Sequence, residues 1–265
     1  MTFIEWLFEP GTFENPWVPN QWGLLHILSL VVCVIAIIGF YFLVKYSKNK
    51  DKVKKIIIVS LVGFILFWEV ASRFVYFVRK YYYNVADMQN YSFIWIILPK
   101  PWCAISCWAL IASVFVDKKF FYNYASLSAL LCSFIFFCYP GVGYNNQYIM
   151  FSNLYSIITH MLLLITSISL ITLKFTDFKY KEFWKLAICF VLTFVYGLIE
   201  IYILKIQSDP MYFMPNGDIQ AGILGIDWGI YITLYIIVIT IYINAFYLIS
   251  DKETVKKFLH RKVIE

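Results

Sequence analysis

The chain has 265 residues, of which 62% are hydrophobic and only 14% are charged, and its formal net charge at pH 7 is +6. Soluble globular domains are about 45–50% apolar and about 25% charged, so this composition excludes a soluble domain and indicates a membrane protein with several spans. The positive charge does not require a nucleic acid partner, because lysine-rich loops beside anionic lipid account for it.

Seven apolar runs are long enough to cross the hydrocarbon core of a bilayer, which takes about 20 helical residues. They lie at 22–44, 56–78, 93–116, 120–140, 148–173, 183–206 and 225–250. No repeat or long linker separates them, so we predict an all-α membrane protein with a single seven-helix domain over residues 1–265. The first run follows glutamates rather than Lys or Arg and is longer than the core of a signal peptide, which favours a true transmembrane helix.

The basic residues are distributed unevenly among the connections. Most of the 22 Lys and Arg residues follow the first, third, fifth and seventh runs. By the positive-inside rule, we predict that the N-terminus is outside and the C-terminus inside the cell membrane. An odd number of spans fits this arrangement, because it places the two termini on opposite sides of the membrane.

The cysteine pattern does not indicate disulfides or a metal site. The cysteines all lie within predicted spans, where a disulfide framework is not expected. They are Cys33, Cys103, Cys107, Cys132, Cys138 and Cys189. Cys and His spacings do not fit zinc, and no phosphate-binding glycine motif is present. We therefore expect membrane lipids as partners, with no metal, cofactor, nucleotide or nucleic acid. The abundance of Lys, Ile, Phe and Tyr is typical of an AT-rich bacterial genome.

Ionisable side chains within the spans are costly in lipid, so they usually face the bundle interior and mark functional sites. With the predicted orientation they all fall between the outer surface and the midplane, which predicts a polar cavity that opens outward. These residues are His26, Glu69, Arg73, Lys100, His160 and Glu200.

Glu69 and Arg73 are four residues apart in the second predicted helix, so their side chains meet on one face. Either they form an internal ion pair, or Arg73 binds a phosphate or carboxylate while Glu69 fixes its geometry. His26 lies near the interface, where it either contacts water and lipid head groups or contributes to substrate binding. The spacing assigns no role to Glu200.

The third run is interrupted near Pro99 and Pro101, which cannot donate backbone hydrogen bonds and therefore end one stretch of helix and start another. Cys103 then lies in the first turn of the second stretch, where free N–H groups, the helix dipole and Lys100 favour a reactive thiolate. His160 lies at a comparable depth in the fifth run. A thiol with an imidazole base is the minimal arrangement for cysteine-dependent acyl transfer. The alternative role for a membrane cysteine is a small apolar filler.

The motifs QWGLLHILSL, LPKPWCAIS, YPGVGYNN and YSIITHMLLL occur in this order, with a glutamate in the second helix. In this order they resemble the YwaF-like bacterial membrane proteins, which are related to the eukaryotic transmembrane protein 164 family. The resemblance covers roughly residues 22–175. It implies a lipid acyltransferase that moves acyl chains among glycerophospholipids, with Cys103 and His160 as the catalytic pair. Pro101 stands where relatives usually have a histidine, and Lys100 where they have an apolar residue.

Our leading hypothesis is therefore an acyltransferase or lipase-like enzyme that acts on phospholipids from the outer leaflet. Glu69, Arg73, Lys100 and His26 are the candidate substrate-binding residues. One alternative is a carrier or binding protein for a small anion held by Arg73 and Lys100, because carriers also have broken helices near the midplane. Another alternative is a non-catalytic membrane assembly factor.

Overall fold

The computed structural model describes residues 3–8, 22–85, 93–99, 102–138, 143–144, 149–205, 212, 215 and 224–251. All regular secondary structure in these residues is helical. The helices are α1 (Phe3–Phe8), α2 (Leu24–Tyr46), α3 (Lys50–Tyr81), α4 (Phe93–Ile97), α5 (Trp102–Val116), α6 (Lys119–Cys138), α7 (Phe151–Thr172), α8 (Phe183–Leu198) and α9 (Trp228–Ser250). A 3₁₀ turn, Tyr180–Glu182, precedes α8, and a π-helical turn, Ile199–Ile203, follows it.

Six of these elements are long and apolar enough to cross a membrane, namely α2, α3, α6, α7, α8 with its flanking turns, and α9. Helix α5 is also apolar but has only 15 residues. Large apolar side chains on the outer surfaces of these helices are exposed, as a lipid environment requires. The described residues thus form an all-α membrane protein, as the composition predicts.

Helix α3 begins at Lys50, six residues before the apolar run that predicts it. The side chain of Asn49 caps this end by accepting a hydrogen bond from the Lys52 N–H at 3.2 Å. Asp51 in the first turn complements the helix dipole. A hydropathy pattern detects only the part of a helix that lies in lipid. It therefore misses the capped first turns of α3, which extend into water.

The centre of the bundle is formed by α6 and α7, whereas α2 and α9 are the most exposed of the long helices. Helix α6 packs against α5 and α7, and α7 also packs against α2 and α3. Small residues on α6 allow this close approach. The fully buried ones are Ala125, Ser126, Ser128, Ala129 and Ser133.

The third predicted span is interrupted where the prolines are. Helix α4 ends at Ile97, with a last hydrogen bond from the Leu98 N–H to the Ile94 carbonyl at 3.0 Å. Pro99 is not helical, and α5 begins at Trp102. Cys103 is therefore the second residue of α5. Lys100 and Pro101 lie outside the described residues.

Arg79 belongs to the outer connection in the sequence pattern, but the structure places it inside α3, where it is 3% exposed. Its Nε donates a hydrogen bond to the Leu7 carbonyl at 2.9 Å. The guanidinium carbon lies 5.2 Å from the centre of the Phe151 ring. Arg79 thus fastens α1 to α3 and α7.

Candidate functional site

Glu69 and Arg73 form an ion pair on one face of α3, with Arg73 Nη1 at 2.5 Å from Glu69 Oε2. The hydroxyl of Tyr155 on α7 donates a hydrogen bond to Glu69 Oε1 at 2.7 Å. Glu69 is 1% exposed, so its charge is buried and is compensated from two sides.

Arg73 also connects α3 to both sides of the interrupted helix. Its Nε donates a hydrogen bond to the carbonyl of Ile97, the last residue of α4, at 3.0 Å. Its guanidinium carbon lies 5.5 Å from the ring centre of Trp108 on α5. We call Glu69, Arg73, Trp108 and Tyr155 the Glu69 network. This network fixes the position of the interruption relative to α3 and α7.

Cys103 lies beside the Glu69 network. Its side chain is partly buried, and the backbone N–H groups of Cys103 and Ala104 are directed towards its sulfur, as expected in the first turn of a helix. The Glu69 carboxyl and the Cys132 thiol lie within electrostatic range of the sulfur. Lys100, which the sequence predicts to favour the thiolate of Cys103, lies outside the described residues.

The start of α5 is anchored to α6 by a chain of buried polar groups. Trp102 Nε1 donates a hydrogen bond to Ser128 Oγ at 2.9 Å, and Ser128 Oγ lies 2.7 Å from Ser106 Oγ. Ser106 Oγ is in turn 3.5 Å from the sulfur of Cys132. The residue that precedes Cys103 is therefore held by a specific hydrogen bond as well as by packing.

His160 lies on α7 and has a defined tautomer. Its Nδ1 is 2.7 Å from the carbonyl oxygen of Ser156. A carbonyl oxygen can only accept a hydrogen bond, so Nδ1 carries the proton and Nε2 of the neutral ring keeps its lone pair. The ring stacks on Phe136 of α6, with 3.8 Å between centroids and 6° between planes. This is the tautomer that a general base acting through Nε2 requires.

Cys103 and His160 lie on helices that pack against each other, α5 and α7. No hydrogen bond joins them in the part of the chain that the structure describes. The sulfur of Cys103 is within electrostatic range of Glu69 and Cys132, whereas His160 contacts Phe136 and the carbonyl of Ser156. A catalytic pairing of the two residues stays a prediction.

His26 and His160 lie at opposite ends of one aromatic cluster. The His26 ring is 4.9 Å from the Tyr144 ring, and the Tyr144 ring is 5.8 Å from that of Phe136, on which His160 stacks. Trp22 covers His26 at 4.7 Å between centroids. His26 is fully buried, so it does not contact water or lipid head groups as its position near the interface suggested.

Gly143, in the YPGVGYNN motif, allows this cluster to close. A Cβ atom at this position would lie 2.5 Å from a ring carbon of Phe136, which is far below a van der Waals contact. The backbone at Gly143 therefore lies flat against Phe136 and helps to hold that ring against His160.

Glu200 is fully buried in the π-helical turn that follows α8. Its carboxyl interacts with Tyr196, and Arg73 also acts electrostatically on Tyr196. Tyr196 thus lies within electrostatic range of both Glu200 and Arg73. Turns of π-helix are frequent at functional sites, which agrees with this position.

The sequence patterns missed several residues of the site, chiefly Tyr155, Trp108 and Tyr196. Tyrosine and tryptophan in an apolar run do not register as polar residues. For Tyr155 there is one usable signal, because Tyr155, Thr159 and Thr166 form a polar stripe on one face of α7.

The described cysteines are free, and among the described residues no three His, Cys, Asp or Glu side chains are arranged to hold a metal ion. The polar groups that the described residues bring to this site are a thiol, an imidazole, an ion pair and tyrosine hydroxyls.

The model of the TMEM164 family matches residues 21–256. This match includes α2 to α9 and continues well past residue 175, where the resemblance in the motifs ends. No curated protein and no solved structure matches the chain. Since the family model covers much more than half of the sequence, the chain belongs to the TMEM164 family.

Proposed function

We propose that this protein is a membrane enzyme that transfers acyl groups between phospholipids of the outer leaflet, with Cys103 as nucleophile and His160 as base. The observation that carries the proposal is the position of Cys103, in the first turn of a helix that begins inside an apolar span and packs against α3, with the Glu69 carboxyl within electrostatic range. The motif resemblance supports the same assignment.

The proposal includes seven spans, with α4 and α5 together forming the third. Helix α5 alone has 15 residues and is therefore about 23 Å long, which is shorter than the ~30 Å hydrocarbon core. Helix α4 supplies the remaining length. The lysine distribution predicts that the N-terminus is outside, and with this orientation the start of α5 lies in the outer half of the membrane.

In the first half-reaction, the thiolate of Cys103 attacks the ester carbonyl carbon of a donor phospholipid, and a C–S bond forms. The proton of the thiol passes to Nε2 of His160 through a bridging water. The C–O bond of the ester then breaks, and the departing alkoxide takes the proton back from His160. The products are an acyl thioester on Cys103 and a lysophospholipid.

In the second half-reaction, the hydroxyl of an acceptor lysophospholipid gives its proton to His160 and attacks the thioester. A new C–O ester bond forms, the C–S bond breaks, and the departing thiolate of Cys103 takes the proton from His160, which restores the thiol and the neutral imidazole. The free N–H groups in the first turn of α5 are positioned to stabilise the oxyanion in both half-reactions.

Arg73 provides the contact with the phosphate in this proposal. Its Nε and Nη1 are engaged by Ile97 and Glu69, but no hydrogen bond within the described residues uses Nη2. The side chain is 17% exposed, so Nη2 is available to a lipid phosphate. Lys100 is a second cation for the same group. We assign no substrate contact to His26, because it is fully buried among aromatic rings.

A carrier for small anions receives less support from the same contacts. Such a carrier has to release its anion on the opposite side of the membrane. Arg73 would therefore have to move with the anion or give up its contact with it. Arg73 is instead bound to Glu69, to Ile97 and to the Trp108 ring. These contacts hold it in place and suit a fixed binding site.

The test uses purified protein in proteoliposomes with a phospholipid that carries an isotope-labelled acyl chain and an unlabelled lysophospholipid. We expect labelled acceptor to form with the wild type and with Cys189→Ala, and we expect none with Cys103→Ala. Cys189 is a matched control because it is a partly buried, free cysteine on a different helix. The thioester on Cys103 should be detectable by mass spectrometry and should be released by hydroxylamine.

Replacement of His160 by Gln keeps a polar group of similar size but removes the base. We expect a loss of rate of about 10²–10⁴-fold, the usual contribution of a general base. Labelled product from Cys103→Ala at the wild-type rate would exclude the thiol mechanism. Uptake of an anion that survives Cys103→Ala but is lost in Arg73→Ala would favour the carrier.

A further inference from the structure

A cavity of about 260 Å³ lies at the lysine-rich end of the bundle, away from Cys103. It is formed where α3 begins and where α5 and α7 end. Its charged wall consists of Asp51, Lys54, Lys55, Asp117 and Lys174. A water molecule occupies ~30 Å³ in the liquid, so the cavity has room for a polar group much larger than one water.

The charges on the cavity wall are only partly compensated. Lys54 pairs with Asp51 at 3.4 Å, and Asp117 accepts a hydrogen bond from the Tyr122 hydroxyl at 3.0 Å. For Lys55 and Lys174, no ion pair is present within the described part of the chain. The wall therefore carries three lysines against two aspartates, a net charge of +1, which favours an anionic ligand.

One side of the cavity is apolar and continues towards the lipid-facing surface. Ile58, Val59 and Val114 line this side. The side chain of Val59 is 46% exposed, so the apolar wall is open at its edge. A ligand that fits both walls has an anionic group and a hydrocarbon part.

Two oppositely charged residues of the cavity wall, Asp117 and Lys174, lie in well-defined backbone turns. Asp117 and Lys174 have φ angles of 49° and 65°, a conformation that residues with a side chain seldom adopt. The turns are secured by hydrogen bonds from the Asp117 N–H to Ser113 and from the Phe175 N–H to Leu170, both at 2.9 Å. The wall of the cavity is therefore built into the ends of α5 and α7.

We propose that this cavity binds the phosphate group of an anionic phospholipid from the inner leaflet, with the amines of Lys55 and Lys174 as its partners and the acyl chains along Val59 and Val114. Basic pockets between transmembrane helices on the cytoplasmic side are known to take such head groups. This site is separate from the acyl-transfer site and does not depend on the chemistry of Cys103.

The experiment measures binding of dioleoyl phosphatidylglycerol to the purified full-length protein in a neutral detergent by native mass spectrometry. We expect saturable binding to the wild type. The double variant Lys55→Gln/Lys174→Gln should bind roughly thirty-fold more weakly, since a lysine near an anionic lipid contributes about 1 kcal/mol and each 1.4 kcal/mol is tenfold. Each single variant should bind roughly five-fold more weakly.

The control variant is Lys48→Gln/Lys52→Gln, which removes the same charge from the same lysine-rich end of the bundle but from side chains that do not line the cavity. We expect its affinity to stay within about threefold of the wild type, because no anionic surface is present in neutral detergent. Equal losses in the two double variants would mean that only general charge matters, and the site would be rejected. All four lysines are exposed, so these substitutions are expected to preserve the fold.

Two further arms identify the ligand. Dioleoyl phosphatidylcholine should bind at least tenfold more weakly than phosphatidylglycerol, because its head group has no net charge. Inorganic phosphate should compete only weakly, because it cannot use the apolar wall. If phosphate binds as tightly as the lipid, or if phosphatidylcholine does, the assignment to an anionic lipid is wrong.

Discussion

Replacing Glu69 by Gln removes one charge of the buried ion pair with almost no change in side-chain shape. Loss of one partner of a buried pair costs about 3–5 kcal/mol, because the other charge stays in an apolar environment without compensation. Arg73 cannot lose its proton, but it is 17% exposed and keeps its bond to the Ile97 carbonyl. We therefore expect a loss of about 3 kcal/mol in the free energy of unfolding, at the lower end of that range.

The reverse replacement, Arg73→Met, should be less harmful. Glu69 can bind a proton and become neutral, and Tyr155 still donates a hydrogen bond to it. The Ile97 carbonyl loses its partner, so we expect a cost of about 2 kcal/mol. In Glu69→Gln/Arg73→Met no unpaired charge remains, so the double variant should also lose only about 2 kcal/mol. The coupling between the two positions is then about 3 kcal/mol.

The assay is thermal unfolding in neutral detergent, followed by tryptophan fluorescence, together with SDS titration for the free energies. For a chain of this size, a loss of 3 kcal/mol corresponds to a fall in Tm of roughly 6–12 °C. The matched control is Glu182→Gln, which breaks an ion pair with Lys185 whose side chains are 33% and 36% exposed. That change should cost less than about 1 kcal/mol.

The reasoning is refuted if the losses of the single variants simply add in the double variant, since the two charges would then not depend on each other. It is also refuted if Arg73→Met is more harmful than Glu69→Gln. In that case the contacts of Arg73 with Ile97 and Trp108 would matter more than its pairing with Glu69.

Two other substitutions test the packing around the site. Gly143→Ala should lower the free energy of unfolding by about 1–3 kcal/mol, because the new Cβ atom would displace Phe136. The NMR chemical shifts of the His160 ring, which stacks on Phe136, should change as well. An unchanged His160 signal would contradict the close contact. Asn123→Ala should lower the free energy of unfolding by about 2 kcal/mol, measured by thermal unfolding. The Asn123 side chain donates a hydrogen bond to the Asp177 carbonyl at 2.8 Å and accepts one from the Asp177 N–H at 2.9 Å. An unchanged Tm would show that Asn123 does not hold the loop around Asp177.

The sequence is most informative where one physical rule determines the outcome. Apolar runs of the length of a bilayer predict α2, α7 and α9 to within three residues at either end. The spacing of Glu69 and Arg73 predicts their ion pair, because residues four apart on a helix are neighbours. Proline chemistry predicts the interruption before α5.

Contacts between helices are not determined by such local rules. Tyr155 is the partner of Glu69 from 86 residues away, and nothing in the period of either helix connects them. His160 and Cys103 have similar predicted depths, but depth does not give the rotation of a helix about its own axis. The ring of His160 packs on Phe136 of α6, whereas Cys103 lies beside Glu69 of α3.

Helix α3 has 32 residues without a break, so it is about 48 Å long, whereas the hydrocarbon core of a bilayer measures about 30 Å. A helix of this length adapts to membrane thickness by tilting. One end of α3 carries Lys54 and Lys55, and the opposite half carries Arg73, which holds the end of α4. Because α3 is unbroken between them, a tilt of this helix displaces the lysine cavity and the Arg73 contact with α4 together.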